Sequence, residues 1–552
     1  MIKDYQEQSR SIDNALATFL LARCQCSPIF KQRFAQLVKA LSAALSSGHS
    51  CLPVQPHDMS ILEESGLVSK DGSLPLVIEY QHLYFQRYWH YEKRLVDQLQ
   101  TMLSPIEVDL SAVNTILDRH FPMSTEPGEI DWQRQAALQV SQQQFTMITG
   151  GPGTGKTTTV LKILAMLQEQ AEGNLSIVLA APTGKAAMRL QQSLIGGVAN
   201  LSCTDAIRDA IPQVVSTIHR LLGVQRNSPY FKHQADMPLA ADIVVIDEAS
   251  MVDLALMSKL VDALKPSARL ILLGDKDQLA SVESGAVLAD LSVALPKHSA
   301  ELKKTWRFKA SIKALALAVN QQQSEQAWRL ITTEANTERA RVNEDLVGLI
   351  MTQRQAYFTA AKALNYQETL PSELQITELF EQLQCFQVLC SNRKGRLGVE
   401  GINRVVESML AKQGIPSYKP WYQGKPILIT QNDPANDLYN GDMGICFFVA
   451  NQAMIYFQQA DGGIKRLIPS RLPHYETAYA LTIHKSQGSE FAEVLVVLPE
   501  TDSPLLVKEL IYTAITRAKN TVRIASTEAI FKAAVARQVE RKSGIVERFV
   551  DC

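Results

Sequence analysis

A glycine-rich octapeptide, residues 150–157, lies directly behind the apolar run of residues 145–149. Its sequence, GGPGTGKT, matches the pattern G-x-x-x-x-G-K-[ST], in which backbone N–H groups surround the phosphates of a nucleotide. The apolar run predicts a buried strand, and residues 158–167 predict a helix whose N-terminus faces the phosphates. This strand–loop–helix order is typical of an α/β domain that binds a nucleoside triphosphate.

The residue types of this loop suit a bound triphosphate. Glycines let the backbone approach the anion, Lys156 is expected to reach the β- and γ-phosphates, and Thr157 is expected to hold Mg²⁺. The loop and the helix start supply the predicted phosphate contacts, which are Gly150, Gly151, Pro152, Gly153, Thr154, Gly155, Lys156, Thr157 and Thr158.

Composition limits the kind of partner. The chain has 552 residues, of which 46% are hydrophobic and 20% charged, as in a soluble globular protein of three or four domains. Lys and Arg number 55 against 56 Asp and Glu, for a net charge of -1. Any contact with nucleic acid must therefore come from a local channel rather than from a basic surface overall.

Cysteine usage and hydropathy indicate a compartment. The eight cysteines are scattered without the C-x-x-C spacing of a zinc site, which favours reduced thiols in a cytosol. The first residues lack the apolar core of a signal peptide, and no stretch is apolar and long enough to span a bilayer. We expect a cytoplasmic protein.

The order of predicted helices and strands along the chain indicates three domains. Residues 1–112 are expected to be mainly helical, and their aromatic stretch at 83–92 favours core packing or a partner surface over a base-stacking platform. Residues 113–325 alternate strands and helices around predicted strands at 146–148, 177–180, 243–246 and 270–273, with a small insertion at about 223–241. Residues 326–552 form a second α/β domain, interrupted at about 420–475 by a turn-rich β-barrel insert.

Two acidic residues follow the predicted strand at 243–246. Asp247 is placed to anchor Mg²⁺ through water, and Glu248 to polarise the attacking water. Acidic residues often end strands, but their position about 90 residues after the phosphate loop favours a hydrolysis site.

Three further residues are candidates for contact with the γ-phosphate. Gln278 follows the next strand and is expected to sense the phosphate through its amide, although a Gly-Asp-x-x-Gln sequence also occurs in plain surface turns. Arg307 and Arg517 are candidates for stabilising charge on the transferring phosphoryl group, an effect worth about 10³–10⁵ in rate. A single arginine is more often a solvated surface group, so these two assignments depend on a wider pattern.

That wider pattern resembles the superfamily 1 DNA helicases, and within them the RecD family, the alpha subunit of exodeoxyribonuclease V. The resemblance covers most of the chain from about 130 to 530. One departure is Trp306, where the family more often has tyrosine. The segments that carry the resemblance are residues 150–157, 181–187, 217–222, 247–251, 274–279, 305–308, 482–491 and 512–518, together with Gln133 and the stretches 83–92 and 440–444.

The resemblance implies an α/β fold of two RecA-like P-loop domains, a helical N-terminal domain and a small SH3-like β-barrel insert in the second RecA-like domain. ATP would be clamped between the two RecA-like domains, with Gln133 at the adenine, and with Gly488, Glu490 and Arg517 contributed by the second domain. Single-stranded DNA would cross the top of both domains. Its implied contacts are Thr183, Lys185, Thr217, His219, Thr482, His484 and Lys485.

The resemblance also implies partners. Family members move 5′ to 3′ on DNA and work in a heterotrimer with a RecB-like nuclease-helicase subunit and a RecC-like scaffold subunit, which processes broken duplex ends. The N-terminal region would dock to those partners. Two alternatives stay open, namely a free-standing helicase of the same superfamily and a non-motor subunit that uses ATP to regulate a nuclease. A small-molecule kinase would also use a phosphate loop but would not need a second RecA-like half.

Overall fold

The computed structural model describes residues 10–122, 130–225, 228–281, 283–304, 309–333, 336–340, 345–364, 371–450, 452–459 and 462–550. The described residues form four sheets, of which two are wholly parallel and each surrounded by helices. Among these residues no helix combines the length and the apolar character needed to cross a lipid bilayer.

The N-terminal region combines helices with a small sheet. Prolines in the first turns of its second and third helices suit positions that need no N–H donor. The prediction of a mainly helical region is only partly correct, because four short strands also form a sheet there, in the order β1-β4-β3-β2. The elements are α1 (Ser11–Leu21), α2 (Pro28–Ser46), β1 (Leu52–Pro53), α3 (Pro56–Glu64), β2 (Val68–Ser69), β3 (Leu76–Glu79) and β4 (His82–Phe85).

Two helices that follow belong to the first large domain instead. Helix α4 (Gln86–Thr101) buries Leu95 and Leu99 in the same core as Leu260. Helix α5 (Leu110–His120) packs against the helix after the phosphate loop. The predicted boundary at residue 112 is wrong, because it falls inside α5 and because α4 already packs in the next core.

The first large sheet has six parallel strands in the order β10-β5-β9-β8-β6-β7. Its strands are β5 (Phe145–Thr149), β6 (Ile177–Ala181), β7 (Val215–Thr217), β8 (Ile243–Ile246), β9 (Arg269–Gly274) and β10 (Ser299–Glu301). Its helices are α6 (Trp132–Gln142), α7 (Lys156–Gln170), α8 (Gly184–Val198), α9 (Asp205–Asp209), α10 (Ile218–Leu222), α11 (Leu254–Asp262) and α12 (Val287–Ala294). Every residue of β5 and β8 is buried, as expected for strands covered on both faces.

The second large sheet has five parallel strands in the order β11-β20-β19-β12-β18. Its strands are β11 (Thr337–Ala340), β12 (Phe386–Cys390), β18 (Ala480–Thr482), β19 (Phe491–Val497) and β20 (Ala518–Ala525). Its helices are α13 (Ala310–Asn320), α14 (Ser324–Thr333), α15 (Asp345–Gln353), α16 (Gln355–Ala363), α17 (Glu373–Cys385), α18 (Val399–Lys412), α19 (Lys508–Ile515) and α20 (Glu528–Ala536).

The predicted boundary at residue 325 also needs correction. Helix α13 buries Ile312, Leu315 and Val319 in one core with Val494 and Val496 of the second sheet. The change of core therefore falls between the end of β10 and the start of α13. Apolar residues at helical spacing do not by themselves show which of two sheets a helix will cover.

An antiparallel sheet interrupts the second domain between α18 and β18. Its strands are β13 (Pro426–Ile429), β14 (Met443–Val449), β15 (Gln452–Gln458), β16 (Ile464–Leu467) and β17 (Tyr475–Thr477), in the order β16-β15-β14-β13-β17. It has a small core of its own around Ile427, Ile455 and Phe457. In the smaller insertion at 223–241, two isolated antiparallel bridges join Val224 to Phe231 and Gln234 to Met237.

The last described residues return to the first domain. Helix α21 (Ile545–Val550) buries Ile545 in the core that also holds α4 and α11. Just before it, Arg541 donates to the carbonyl oxygens of Glu283 and Gly285 at 2.9 and 2.8 Å. The expectation that residues 326–552 form one domain is wrong for this segment, which we call the C-terminal return (residues 541–550).

The C-terminal return covers a buried carboxylate on α4. Glu92 accepts hydrogen bonds from the Ser50 hydroxyl and from the Gly544 N–H, and Arg548 lies 3.6 Å away. The Arg548 guanidinium also lies 5.6 Å from the centre of the Trp89 ring. Because Tyr84 and Trp89 are 0% and 3% exposed, the packing role of the aromatic stretch is confirmed.

The C-terminal return generates a prediction about pH. Burial, the largest effect, raises the pKa of Asp290 from 3.8 to about 7, although its carboxylate accepts a 2.8 Å hydrogen bond from Ser543. The folded state thus favours the protonated carboxyl over the carboxylate. The free energy of folding that depends on this proton is lost as pH rises from about 4 through 7. We expect Asp290→Asn to raise the thermal midpoint at pH 8, by no more than the equivalent of about 4 kcal/mol, and to have little effect near pH 4.

Thermal unfolding followed by circular dichroism between pH 4 and pH 8 measures this difference. Asp97→Asn is the matched control, since Asp97 lies on the exposed face of α4 and pairs with Lys93 at 3.3 Å. An equal gain at pH 8 from both substitutions would contradict the assignment of the effect to Asp290.

Candidate nucleotide-binding site

The loop between β5 and α7 takes a conformation that requires glycine. Gly155 caps the N-terminus of α7 with φ of 84°, and Gly153 has φ of 78°. A side chain at either position would strain the backbone. The N-terminal N–H groups of α7 therefore point into the loop, where they form the anion-binding arrangement that the sequence predicts.

Two other glycines are required by close packing. A Cβ atom on Gly150 would lie 2.8 Å from Thr154 Oγ1 and 2.9 Å from the Leu302 carbonyl oxygen. A Cβ atom on Gly151 would lie 3.0 Å from the hydroxyl of Tyr512, which belongs to the second domain. The loop is therefore in contact with both domains.

Lys156 is held across the loop. Its Nζ donates to the carbonyl oxygens of Gly150 and Gly151 at 2.6 and 3.2 Å. It lines a cavity of about 400 Å³, together with Thr157 and Thr158. A phosphate in this cavity would meet an ammonium already positioned by the backbone, at little further cost in side-chain entropy.

The acidic pair at the end of β8 lines the same cavity. Asp247 accepts a 2.9 Å hydrogen bond from the N–H of Glu248, whose φ of 52° lies in the left-handed region. That conformation costs a non-glycine residue about 1–3 kcal/mol and is typical of functional sites. Burial first, and the neighbouring Glu248 second, raise the pKa of Asp247 to about 6. A bound cation would relieve this burial of negative charge.

The turn after β9 carries a buried carboxylate that contacts both domains. Asp275 accepts hydrogen bonds at 3.0 Å from the Gln278 amide and at 3.1 Å from the Tyr512 hydroxyl. Burial raises the pKa of Asp275 to about 6. Gln278 is thereby fixed with its amide nitrogen toward Asp275 and its amide oxygen toward the second domain.

Arg517 approaches the cavity from the second domain and is 1% exposed. Its guanidinium donates to Gln278 Oε1 at 2.8 Å, to the Thr513 carbonyl oxygen at 3.1 Å and to the Ser489 carbonyl oxygen at 3.3 Å. All three acceptors are neutral, and although the Glu248 and Asp275 carboxylates act on its charge, the guanidinium can still attract an anion in the cavity. Lys156 and Arg517 thus line one cavity from two different sheets.

Glu490 also reaches the cavity from the second domain, where two cations surround it. It pairs with Arg189 of α8, and Lys519 Nζ lies 3.5 Å from its carboxylate. Arg189 lies outside every predicted motif. The available signal was helical spacing, because Arg189 lies one turn after Lys185 on the helix that follows β6.

The structure brings most, but not all, of the predicted nucleotide residues together. Gln133 lies in the first turn of α6 and is not in the cavity wall, so the adenine contact stays a prediction. Arg307 lies outside the described residues. Gly150, Gly151 and Thr154 are not in the cavity wall and pack within the loop and against its neighbours. The predicted residues that line the cavity are Pro152, Gly153, Gly155, Lys156, Thr157, Thr158, Asp247, Glu248, Gln278, Gly488, Glu490 and Arg517.

Three of the predicted DNA-contacting residues are threonines at the carboxyl ends of strands. Thr183 follows β6, Thr217 ends β7 and Thr482 ends β18. Each hydroxyl accepts a hydrogen bond from the backbone N–H three residues later, at 3.2 to 3.3 Å. This arrangement caps the following turn and leaves each hydroxyl hydrogen free to donate to another group.

The other predicted DNA-contacting residues have varied surroundings. Lys485 Nζ lies 2.6 Å from Glu476, and the His219 ring packs edge-on against Phe231. Lys185 is half-buried beside Gly441 of the insert, and burial lowers its pKa to about 8. His484 is exposed.

The donor set fits Mg²⁺ held together with a triphosphate. Within the described residues, no cluster of three or more His, Cys, Asp or Glu side chains forms a metal cage. Mg²⁺ ordinarily binds through one or two protein oxygens, several waters and substrate phosphates. Thr157 and Asp247 on the wall of one cavity supply that kind of partial set.

Two parallel α/β sheets that contribute opposite walls of one phosphate-loop cavity define a two-lobed P-loop protein with RecA-like domains. Residues 133–284 match the family model described as an AAA domain, and residues 477–525 match that of a UvrD-like helicase C-terminal domain.

Three relatives show the family more closely. The RecBCD enzyme subunit RecD of Mycolicibacterium smegmatis is 41% identical over 474 residues, covering 84% of this chain and 82% of the relative. That of Haemophilus influenzae is 34% identical, covering 85% and 80%. The ATP-dependent RecD2 DNA helicase of Deinococcus radiodurans is 29% identical, covering 92% and 67%. The chain belongs to the RecD family of superfamily 1 helicases.

The contact between the loop and Tyr512 can be tested by adding one methyl group. We expect Gly151→Ala to weaken ATP binding by about 5- to 150-fold, because overpacking at a tight contact costs about 1–3 kcal/mol. The atom nearest to this Cβ is the Tyr512 hydroxyl oxygen at 3.0 Å, with Asp275 Oδ2 at 4.0 Å, so Tyr512→Phe should restore part of the loss.

Fluorescence titration with a labelled ATP analogue measures these affinities. Gly196→Ala is the control, since a Cβ atom there would meet no atom within 4 Å. If the Tyr512→Phe substitution lowered affinity equally in both backgrounds, the contact would play no part.

Proposed function

We propose that the chain is an ATP-driven 5′ to 3′ translocase on single-stranded DNA and a DNA helicase. It would act as a subunit of a helicase–nuclease complex that processes double-strand breaks for recombinational repair. One observation carries the proposal: Lys156 and Arg517, from two separate sheets, line a single phosphate-loop cavity. Membership of the RecD family supports the substrate and the polarity.

The residues of the cavity divide the work of ATP hydrolysis. Lys156 would bind the β- and γ-phosphates, and Thr157 and Asp247 would hold Mg²⁺, which neutralises charge developing on the phosphates. Glu248 would take a proton from the attacking water. Gln278, Arg517 and Arg307 would bind the γ-phosphate, while Gln133 would recognise adenine and Glu490 would line the nucleotide cavity from the second domain.

The same residues would couple ATP hydrolysis to movement of the two domains. Gln278 is held by Arg517, and its neighbour Leu279 donates its N–H to Thr513 Oγ1 at 3.0 Å. Gln487 of the second domain donates in turn to the Leu279 carbonyl oxygen at 2.9 Å. A γ-phosphate that attracts Arg517 would compete with these contacts. Loss of that phosphate would restore them, so the spacing of the two domains would follow the nucleotide.

DNA would lie across the carboxyl ends of the strands in both domains. Thr183 and Thr217 of the first domain and Thr482 of the second can donate their free hydroxyl hydrogens to phosphate oxygens. Lys185, His219, His484 and Lys485 would add positive charge beside them. These groups contact the backbone rather than base edges, which suits movement without sequence preference.

The finer domain organisation belongs to the same proposal. The five-stranded antiparallel sheet would form an SH3-like barrel beside the DNA, because its Gly441 lies against Lys185. The N-terminal region would dock to RecB-like and RecC-like subunits, in a cytoplasmic complex that holds duplex ends. Ile12, Phe19 and Ile29, which are 63%, 53% and 84% exposed, supply apolar surface for such docking.

A free-standing helicase is a second candidate, because one relative is described as the ATP-dependent RecD2 DNA helicase. Purification of the native protein distinguishes the two candidates. A stable complex with a nuclease subunit supports the first, and a fully active monomer supports the second.

The loop lysine provides the first test. We expect Lys156→Gln to lower DNA-stimulated ATP turnover by at least about 100-fold, because it removes a charge-assisted contact to the transferring phosphate. The fold should survive, as judged by circular dichroism. Lys313→Gln, on the exposed side of α13, is the control for loss of one lysine. Undiminished turnover in the Lys156 variant would refute the assignment of the site.

Directional movement provides the second test. Single-stranded oligonucleotides that carry biotin at one end are loaded with streptavidin, and its ATP-dependent displacement is followed. A 5′ to 3′ motor pushes streptavidin from the 3′ end and leaves it at the 5′ end. Displacement only from the 5′ end would reverse the polarity. Failure at both ends, with DNA-stimulated ATPase intact, would favour the ATP-gated non-motor subunit.

A further inference from the structure

Arg189 is a cavity residue to which no motif assigns a role. It lies on α8, which begins directly after Thr183, and its guanidinium reaches across to the second domain. There it donates to the Gly488 carbonyl oxygen at 3.0 Å and pairs with the Glu490 carboxylate. Its side chain is 32% exposed, and it lines the cavity that contains Lys156 and Arg517.

Three carboxylates act on Arg189. Glu490 pairs with it from the second domain, and Asp247 and Glu248 act on it from the first. Burial lowers the pKa of Arg189, while these two carboxylates oppose that effect. A guanidinium suits phosphate because its planar fork can donate two parallel hydrogen bonds to phosphate oxygens.

A second cation lies beside Glu490, so losing Arg189 as a partner would cost Glu490 little free energy. Lys519 Nζ lies 3.5 Å from the Glu490 carboxylate. If Arg189 turned away, Glu490 would still have a positive neighbour and would not become an isolated buried charge. Arg189 would in exchange gain an anion of higher charge.

We propose that Arg189 exchanges Glu490 for the terminal phosphate of a bound nucleoside triphosphate, and that this contact makes the cavity distinguish ATP from ADP. The inference rests on the proposed function and adds a specificity-determining residue to it. Lys185 and Arg189 lie one helical turn apart, about 6 Å along the axis of α8. One rigid helix therefore joins a predicted DNA contact to the γ-phosphate.

The test compares two nucleotides on the full chain. Affinities of fluorescent ADP and fluorescent ATPγS, each with Mg²⁺, are measured for the wild type, Arg189→Ala, Arg189→Lys and Glu490→Gln. We expect Arg189→Ala to weaken ATPγS binding by about 10- to 100-fold and ADP binding by less than about threefold, because a hydrogen bond to a charged group is lost only with the triphosphate. Arg189→Lys, which keeps the charge without the fork, should be intermediate.

Two controls separate a phosphate contact from a structural role. Arg119→Ala removes another arginine of the first domain, paired with Glu169 at 2.9 Å away from the cavity, and should change neither affinity. Glu490→Gln removes the competing carboxylate and should leave ATPγS preferred over ADP at least as strongly as in the wild type. ADP affinity also reports that each variant is folded.

The outcomes separate the two proposals. If Arg189→Ala changed both affinities by the same factor, Arg189 would be only a latch between domains, and the inference would be wrong. If the wild type bound neither nucleotide, or if Lys156→Gln left both affinities unchanged, the proposed function itself would fail. A selective loss of ATPγS binding in the Arg189 variants, with Lys156→Gln weakening both nucleotides, supports both.

Discussion

The hydrogen bond between Arg517 and Gln278 is the contact on which the rest of the cavity depends. It joins the turn after β9 to the residue directly before β20, and it is 2.8 Å long and buried. A buried guanidinium is stable only when its donors are satisfied, and here the amide oxygen of Gln278 and two carbonyl oxygens satisfy them. None of these acceptors is charged. The Arg517 charge can therefore attract an anion in the cavity, although the Glu248 and Asp275 carboxylates already act on it.

The C-terminal return restricts how the two domains move. Arg537 is held on the second domain by the Ser503 and Leu506 carbonyl oxygens at 2.7 and 2.8 Å, whereas Arg541 is held on the first. Only residues 538–540 lie between these two anchors. Such a short connection cannot extend far, so it favours rotation of the domains about this side over their separation. The cavity lies elsewhere between the same domains, where rotation would change its width.

Local patterns predicted the phosphate loop and the acidic pair, and the family resemblance implied Glu490 and Arg517, but Arg189 and the domain boundaries were missed. The phosphate loop and the pair Asp247 and Glu248 were predictable because a few consecutive residues determine the turn and the strand end. The domain boundaries were not predictable from such patterns. Helices α4, α13 and α21 each cover a sheet that is distant in sequence, or lie against two cores at once. Arg189 was missed because its one signal, its place one helical turn after Lys185, is shared by solvated arginines on amphipathic helices.

Helix α8 explains how a chain of nearly zero net charge can act on DNA. Its cap, Thr183, lies at the end of β6, Lys185 follows in the first turn, and Arg189 reaches the cavity one turn later. Because a helix transmits displacement without bending over so short a distance, movement of Arg189 toward or away from the second domain moves the N-terminal end as well. A few charges on one rigid element therefore suffice, and no extended basic surface is needed. The insert adds to this coupling, since a Cβ atom on Gly184 would lie only 2.5 Å from the Tyr439 Cβ atom. A movement of α8 would therefore displace the insert as well as the two large sheets.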